Sequence, residues 1–245
     1  MKLPLIYPDW PINHKVCAFT TTRIGGYSQS PYNELNLALH VDDESSHVKK
    51  NRDQLNESLE FTHSPKWLKQ THSRIVVKAE EIEPDAIEAD ASFTTEKNQI
   101  CAVLTADCLP VLLTDRNGQC VAAVHAGWQG LAKGVIQETI NAMSEHVKPE
   151  YAWLGPAIGP ESFEVGEDVY ETYIQSNIEY KNAFSAKKPG KWNLDIYAAA
   201  KIVLSAADIT KVYGGTYCTY RDEQHFFSYR RSEKTGRMAT IIMRK

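Results

Sequence analysis

The sequence predicts a single domain of mixed α/β class, and three observations lead to this prediction. First, 245 residues with 42% hydrophobic and 24% charged side chains suit one large globular domain. Second, the run from Val103 to Asp115 is apolar on both faces, which indicates a sheet covered on both sides. Third, candidate strands outnumber helices without strict alternation, and no glycine-rich phosphate loop is present, so a doubly wound nucleotide fold is not expected.

Four helices are expected from hydrophobic spacing and from residues typical of helix ends. In the first, apolar side chains at 48, 55 and 59 form a rough stripe, and Ser45 or Ser46 is the expected cap. The four predicted helices are residues 42–60, a segment that follows Gly130, residues from about 167 to 176, and a segment that starts near Asn193.

Strands are predicted wherever short apolar runs are bounded by turn-forming residues. The predicted strands are Val16 to Thr22, Lys66 to Thr71, Ile75 to Lys78, Ile100 to Ala106, Val111 to Thr114, Cys120 to His125, Tyr151 to Leu154, Val212 to Cys218, Phe226 to Tyr229 and Met238 to Met243.

Charge, the N-terminal segment and cysteine usage exclude several classes of protein. A net charge of -4 with no basic face argues against nucleic-acid binding. Pro4, Pro8 and Asp9 interrupt the N-terminal apolar residues, and no run reaches the ~18 that a membrane helix needs. Five widely spaced cysteines do not describe a disulfide framework. We therefore expect a cytoplasmic protein that binds neither membranes nor nucleic acid.

A β-hairpin brings two chemically active side chains together. Asn117-Gly118 lies between two apolar runs and favours a two-residue type I′ turn. Counting outward from that turn, Pro110 lies opposite His125, and Cys108 lies opposite the residue at 127. Cys108 and His125 are then diagonal neighbours on one face of the hairpin, about 7–8 Å apart at the backbone. Their side chains can converge on one ion at about 2.0–2.3 Å each.

His72, at the end of the segment KWLKQTH, is the candidate for a third ligand. Two imidazoles and one thiolate suit Zn²⁺ or copper, and three protein ligands leave a fourth position open, as in catalytic zinc sites. The alternative for each residue alone is ordinary: a cysteine in an apolar run is a small hydrophobe, and a histidine at a strand end is hydrogen-bonded. Composition does not select His72 from the eight histidines. Cys101 and Cys120, inside apolar runs, are expected to be buried fillers.

Seven segments, in order along almost the whole chain, resemble the signatures of one family. It is called the multicopper polyphenol oxidase (laccase) domain family, the purine nucleoside phosphorylase family, or the peptidoglycan editing factor family. The segments are TTRIGGYS (21–28), NLALHVDD (36–43), QTH (70–72), TADCLPVLLTD (105–115), AAVHAGWQG (122–130), GPAIGPESFEVG (155–166) and CTYRDEQHFFSYRRSEKTGRMA (218–239).

This resemblance implies a fold, a metal site and a substrate class. The metal ligands of the family fall on His72, Cys108 and His125, and the implied metal is Zn²⁺ or Cu²⁺. The implied fold is a four-layer α/β/β/α domain with mixed β-sheets over residues 1–245, resembling cytotoxin-type cysteine deamidases. The implied activities are phosphorolysis of adenosine, inosine, guanosine and S-methyl-5′-thioadenosine, and hydrolytic deamination of adenosine. Purine nucleosides and phosphate are the implied partners, and the oligomeric state is open.

Phosphorolysis requires a cationic site for phosphate, and arginines supply it. Arg23, beside the flexible Gly25-Gly26 turn, and Arg230 are the expected phosphate-binding residues, although each arginine is equally well explained as an ordinary surface charge. The family usually has arginine where this chain has Gln129, so we expect weaker phosphate binding here, or the use of another arginine such as Arg231 or Arg237.

Three other functions stay open at this level. Polyphenol oxidation by a multicopper mechanism needs several copper sites, and only one set of three ligands is recognisable. A hydrolase that edits cell-wall precursors can use the metal, or Cys108 as a free nucleophile with His72 or His125 as its base. A metal-bound thiolate is a poor free nucleophile, so these two mechanisms exclude each other at Cys108. A non-enzymatic metal-dependent binding protein needs neither an open coordination position nor an anion pocket.

Overall fold

A computed structural model describes residues 3–59, 61, 63–83 and 87–245. The strands of the described residues are β1 (Leu5–Ile6), β2 (Val16–Thr21), β3 (Val76–Lys78), β4 (Ala91–Thr94), β5 (Ile100–Thr105), β6 (Leu109–Thr114), β7 (Val121–Ala126), β8 (Tyr151–Leu154), β9 (Glu164–Gly166), β10 (Phe184–Lys188), β11 (Lys191–Leu194), β12 (Lys211–Gly214) and β13 (Met238–Arg244). The α-helices are α1 (Ser45–Ser58), α2 (Trp128–Lys133), α3 (Val135–Ser144), α4 (Glu167–Ser176) and α5 (Ile196–Ala206). Short 3₁₀ helices lie at Ala79–Glu81, Pro160–Ser162 and Ile178–Ala183.

The strands form three sheets of mixed or antiparallel type. The largest has the order β12-β8-β6-β7-β4-β3, with parallel pairs at its two edges and antiparallel pairs between them. A four-stranded antiparallel sheet has the order β1-β2-β13-β5, and a three-stranded antiparallel sheet has the order β10-β11-β9. Every residue of β6 and β7 is buried, as the apolar run predicted for a sheet covered on both faces.

The two larger sheets stack face to face, and helices cover their outer faces. Along β6, Leu113 packs among residues of α3 and α5, whereas Leu112 packs among residues of β2, β5 and β13. The outer face of the four-stranded sheet packs on α1 through Leu55. The layers therefore run helix, sheet, sheet, helices, and β6 and β7 lie at the centre. The predicted likeness to cytotoxin-type deamidases stays a prediction.

The helices differ from the prediction mainly at their ends. The first spans Ser45–Ser58, and its N-cap position is Glu44, whose side chain makes no capping hydrogen bond, rather than a serine. The predicted end at Glu60 lies outside the described residues. The second is two helices, because Gly134 adopts a left-handed φ of 92° and interrupts the hydrogen-bond ladder. The third is confirmed at Glu167–Ser176. The fourth starts later than predicted, because Asn193 lies in β11 and the Asp195 carboxylate accepts the Ala198 N–H at 2.9 Å as the cap.

Two predicted strands are wrong, and several short strands were missed. Residues 66–71 form only an isolated bridge between Lys69 and Glu88. Residues 226–229 form turns, because side chains rather than a neighbouring strand bind this backbone; the Phe227 N–H, for example, points to the Met238 sulfur. The missed strands β1, β4, β9, β10 and β11 are two to five residues long, too short to show a clear period.

The hairpin register is confirmed, but its turn differs from the predicted type. Pro110 pairs with His125 without a bulge, as counting from Asn117-Gly118 predicted. In the turn, Gly118 has a φ of 66° and Asn117 does not have a positive φ, so the turn is not type I′. The Asp115 carboxylate accepts the backbone N–H groups of residues 117, 119 and 120 at 2.6–3.0 Å and closes a wider loop. No helix of the described residues is long and apolar enough to cross a membrane.

Candidate metal centre

The open end of the β6–β7 hairpin carries the three predicted ligands. Cys108 immediately precedes β6, His125 is the penultimate residue of β7, and His72 lies in the loop before β3. One possible ligating atom of each residue lies within 4.8 Å of the other two, and Cys108 Sγ is 3.7 Å from His72 Nε2. First-shell bonds of about 2.0–2.3 Å can therefore reach one ion from all three side chains.

Asp90 organises two of these ligands, and sequence reasoning missed it. Its fully buried carboxylate contacts His125 Nδ1 at 2.7 Å, which leaves His125 Nε2 for the centre. It also accepts the N–H groups of Thr71, His72 and Ser73, at 2.6–3.2 Å, and the Ser73 hydroxyl at 2.7 Å. One carboxylate thus fixes the His125 ring and the backbone of the His72 loop. Neither a motif nor a period marked this residue, which immediately precedes the short strand β4.

The electrostatics of the site favour a thiolate. Burial opposes ionisation of Cys108, but attraction to His125 and hydrogen bonds from both histidines outweigh it and lower its pKa from 9.0 to about 6. Burial also opposes the charged form of His125, yet the Cys108 thiolate and Asp90 raise its pKa. Hydrogen bonds from His125 and Ser73 overcome burial at Asp90 and hold its pKa at about 2. Cys108 is therefore ionised at neutral pH, as a metal ligand must be.

The donor set and the space around it fit a metal ion. Two imidazoles and a thiolate are the ligands that Zn²⁺ and copper prefer. The backbone at Gly127 lies against the centre: a Cβ there would be 2.7 Å from His72 Cδ2 and 2.9 Å from Cys108 Sγ. Any larger residue would displace both side chains. Within the described part of the chain, this is the one group of His, Cys, Asp and Glu side chains with metal-binding geometry.

A cavity of about 560 Å³ opens onto the centre. All three candidate ligands line it, and its walls combine aromatic rings with two guanidinium groups. Other side chains that line the cavity are His40, Asp107, Trp128, Phe163, Tyr229, Arg230 and Arg237. The volume lies within the range of small-molecule sites, and apolar walls with a few polar groups are typical of them.

The structure brings Arg230 to this cavity, but it does not bring Arg23, Gly25 or Gly26 there. The Arg23 guanidinium is bound by the carbonyl oxygens of residues 33 and 223 at 2.7–3.2 Å. The Gly25 N–H donates to the Glu34 carboxylate at 2.6 Å, and both glycines line a separate, open cavity. These groups are therefore committed to folding their own loop. Gln129 is exposed on α2 and is not among the lining residues.

Asp107 lines the cavity beside Cys108, although neighbouring residues of a regular strand would face opposite sides. Its φ of 91° turns the chain between β5 and β6, so strand alternation does not apply. The carboxylate accepts the hydroxyls of Thr219 and Ser228, at 2.5 and 3.0 Å, and the Arg230 N–H at 2.7 Å. Asp107 thus attaches the 219–230 segment to the residue before Cys108.

The remaining cysteines lie outside the centre. Cys101 and Cys120 are buried, as predicted for core fillers, and burial raises the pKa of both thiols. Cys17 and Cys218 are half-buried. The Cys218 sulfur accepts the Gly159 N–H at 3.2 Å, in a different cavity.

Comparison with known proteins places these features in a family. The profile of the family described as multi-copper polyphenol oxidoreductase laccase matches residues 17–245. The chain belongs to this family. Proteins that resemble the chain include a purine nucleoside phosphorylase of Pseudomonas aeruginosa, 45% identical over 96% of both chains. Another is the purine nucleoside phosphorylase YfiH of Escherichia coli, 43% identical over 97% of this chain and 98% of that protein.

Solved structures show the same fold as this laccase-family chain. A Neisseria meningitidis protein superposes with a TM-score of 0.93 at 44% identity, covering 98% of this chain and 99% of that one. The protein YlmD of Geobacillus stearothermophilus superposes with a TM-score of 0.86 at 30% identity, covering 96% and 94%. The mixed α/β architecture is therefore that of the family.

Proposed function

We propose that this chain is a metal-dependent purine nucleoside enzyme. The observation that carries the proposal is a three-ligand centre that opens onto a cavity of about 560 Å³ with aromatic walls and guanidinium groups. The relatives named purine nucleoside phosphorylase support the substrate class. We propose phosphorolysis of adenosine, inosine, guanosine and S-methyl-5′-thioadenosine, and hydrolytic deamination of adenosine.

The proposed ligands are His72, Cys108 and His125, with Zn²⁺ or Cu²⁺ as the metal. When bound, such an ion acts as a Lewis acid and makes water a competent nucleophile near neutral pH. The protein contributes the orientation of the ligands. Asp90 fixes the His125 tautomer so that Nε2 faces the centre, and it holds the His72 backbone. Cys108 is already a thiolate at pH 7, so the proton that a bound cation displaces comes from His125, whose pKa is raised by that thiolate and by Asp90.

The two reactions make different demands on the cavity. In deamination, water adds to carbon 6 of adenosine and ammonia leaves, which yields inosine. In phosphorolysis, a phosphate oxygen bonds to carbon 1′ of the ribose while the bond to the purine N9 breaks. The base leaves with that electron pair and is protonated through water, which receives the proton that the attacking phosphate loses. Deamination therefore needs activated water, and phosphorolysis needs a site for the anion, for which Arg230 is the proposed residue.

The aromatic walls suit a planar base. Trp128 and Phe163 are partly or largely buried in the cavity wall, and Tyr229 is 52% exposed at its mouth. A purine ring that stacks on such side chains buries apolar surface without needing a specific hydrogen bond. This arrangement supports binding of several purine nucleosides rather than one.

Product analysis on adenosine tests this proposal. Inosine, adenine, hypoxanthine and ribose 1-phosphate are followed, with and without phosphate, in zinc-loaded, chelated and Cys108→Ala protein. We expect deamination without phosphate, release of adenine only with phosphate, and loss of both reactions in the chelated and Cys108→Ala proteins. Cys218→Ala is the matched control, because its thiol lies in another cavity, and it should retain both activities. Zinc-loaded protein that turns over no nucleoside would refute the proposal.

One observation favours a second candidate, a thiol hydrolase acting on cell-wall precursors. Cys108, His125 and Asp90 form a nucleophile, base and orienting carboxylate in sequence, and attraction to His125 lowers the pKa of the thiol to about 6. The two functions exclude each other at Cys108, because a metal-bound thiolate is not free to attack. Full activity after chelation, with loss in Cys108→Ala, would favour the hydrolase. Multicopper phenol oxidation has less support, because it needs several copper sites. The described residues contain one candidate metal site, with three ligands.

A further inference from the structure

We propose that Arg237 binds a tetrahedral oxyanion in the cavity, together with Arg230, as a two-arginine clamp. The inference rests on the proposed function in that the oxyanion is a substrate group, either free phosphate or the phosphate of a nucleotide. It assigns the anion to the 228–237 segment instead of to residue 129 or to the Arg23 loop.

Arg230 and Arg237 each have guanidinium donors to spare and no paired carboxylate in the described part of the chain, which sets them apart from the arginines held in ion pairs. The Arg237 guanidinium uses only Nη1, which donates to the carbonyl oxygens of Thr235 and Gly236 at 2.8 and 3.0 Å. Arg230 also uses only Nη1, which donates to the Glu164 carbonyl at 2.9 Å. Among the described residues, neither side chain pairs with a carboxylate. Arginines bound to carboxylates instead are Arg74, Arg116 and Arg221.

The backbone and side chain of Arg237 are held in place before any ligand binds. Its N–H donates to Asn36 Oδ1 at 3.0 Å, and the two Nη1 bonds turn the guanidinium back onto its own loop. The preceding Gly236 packs its backbone closely against Phe227, because a Cβ there would be 2.6 Å from that ring. The two Nη1 bonds orient the guanidinium and leave its Nε and Nη2 donors available. Such preorganisation lowers the entropy cost of binding.

Arg237 is half-buried, and charges near the candidate metal centre act on it. Burial lowers its pKa, while the Cys108 thiolate and Asp107 act in the opposite direction. A guanidinium in this position has lost part of its hydration, and a bound anion restores favourable electrostatics. Its carbon Cζ also lies 5.9 Å from the centre of the Tyr229 ring, and both side chains line the cavity that contains the candidate metal ligands.

Arg230 completes the clamp and is attached to the same centre. Its backbone N–H donates to Asp107 at 2.7 Å, and Asp107 immediately precedes Cys108. Its guanidinium lies over the Phe163 ring, with 5.3 Å between Cζ and the ring centre. Asp107 is the acidic residue that lines this cavity, and three donors already satisfy its carboxylate. The cavity therefore offers unpaired guanidinium donors without a competing free carboxylate among the described lining residues.

Two planar guanidinium groups match a doubly charged oxyanion better than one. Each can donate two parallel N–H···O bonds, and bonds to a charged acceptor are the stronger kind. Both arginines lie in the 228–237 segment, which Asp107 binds through Ser228 and the Arg230 N–H, and Asp107 immediately precedes the candidate ligand Cys108. The bound anion would therefore lie beside the centre, where a nucleoside held by the aromatic walls can meet it.

Calorimetric titration with inorganic phosphate tests the clamp without relying on turnover. Wild type, Arg237→Gln, Arg230→Gln and Arg237→Lys are each titrated in zinc-loaded and metal-free form. We expect the Kd for phosphate to rise about 10- to 100-fold in each glutamine variant, and less in Arg237→Lys, in both metal states. Arg116→Gln is the matched control, because this arginine pairs with Glu150 at the opposite end of the hairpin; its Kd should equal that of wild type.

Three results would overturn the inference. They are an unchanged Kd in Arg237→Gln, an absence of phosphate binding in the wild type, and binding that requires zinc and ignores both arginines. Thermal unfolding checks that each variant is folded. If Arg237→Gln is not folded, Arg237→Lys takes its place in the test. A parallel titration with adenosine 5′-monophosphate distinguishes free phosphate from the phosphate of a nucleotide. If the nucleotide binds more tightly than phosphate does in the presence of adenosine, the anion is assigned to a nucleotide. Phosphate binding does not depend on turnover. The titration can therefore support the clamp even if no nucleoside is turned over, and it can refute the clamp even if nucleosides are turned over.

Discussion

Replacing Asp90 by asparagine should damage the metal centre although Asp90 is not a proposed ligand. Asparagine has nearly the same shape, but it carries no charge and accepts through a single oxygen. The native carboxylate contacts His125 Nδ1 and accepts four further hydrogen bonds from the 71–73 loop. The change therefore removes the group that orients one histidine and holds the loop of another.

The structure sets the size of both effects. Outer hydrogen bonds to ligating histidines are worth about 10- to 100-fold in metal affinity, so we expect zinc affinity to fall by that factor. The pKa of the buried Asp90 carboxylate drops from 3.8 to about 2, since hydrogen bonds from His125 and Ser73 outweigh burial. At about 1.4 kcal/mol for each pH unit, the carboxylate contributes about 2 kcal/mol to folding. That stabilisation is complete above about pH 4 and is lost as the pH falls towards 2.

Two assays separate the effects on metal binding and on stability. Competition with a chromophoric chelator gives the zinc affinity, and denaturant unfolding of the metal-free protein gives the free energy of unfolding. Asp115→Asn is the matched control, because the buried Asp115 accepts three backbone N–H groups at the other end of the same hairpin. It should lower stability and leave zinc affinity unchanged. Wild-type zinc affinity in a folded Asp90→Asn protein would refute the proposed role of Asp90.

Three further predictions follow from individual side chains. In metal-free protein, the rate of Cys108 alkylation by iodoacetamide should be half-maximal near pH 6 and should be suppressed by zinc; a midpoint near pH 9 would contradict the thiolate. Cys120→Ala should lower the free energy of unfolding by about 1 kcal/mol and keep its metal content, and loss of metal from the folded variant would contradict the assignment of this thiol to the core. Gln129→Arg should leave the phosphate concentration for half-maximal phosphorolysis within about twofold of wild type, because residue 129 is exposed outside the cavity; a large decrease would place it at the anion.

Local sequence signals predicted the part of the site that a hairpin defines. Turn residues and a strict period of two place Cys108 and His125 correctly, although the turn itself is a wider loop closed by Asp115. The register survives because the Asp115 carboxylate binds the N–H groups of residues 117 and 120 and so holds the loop next to the Thr114–Val121 pair. His72 required the resemblance to a family, since no local rule connects residue 72 to a hairpin that starts at 108.

The remainder of the site depends on contacts that no local pattern records. Asp90 and Asp107 act through donors that are distant in sequence, as in the bond from Thr219 to Asp107. A positive φ at Asp107 also breaks the strand alternation that would otherwise predict the direction of its side chain. The arginine and glycines of the Arg23 loop predicted a phosphate site, but carbonyl oxygens of the fold accept the hydrogen bonds of its guanidinium. Arg237 is also an arginine near a glycine, but it keeps free donors. Only the structure distinguishes the two residues.

Metal stoichiometry tests the central claim most directly, namely that His72, Cys108 and His125 bind one ion. Elemental analysis after dialysis against zinc is applied to wild type and to alanine variants of the three residues, with Cys218→Ala as control. We predict about one equivalent per chain in wild type and in the control, and a large loss in each of the three variants. A full equivalent retained by folded Cys108→Ala and His125→Ala proteins would contradict the account.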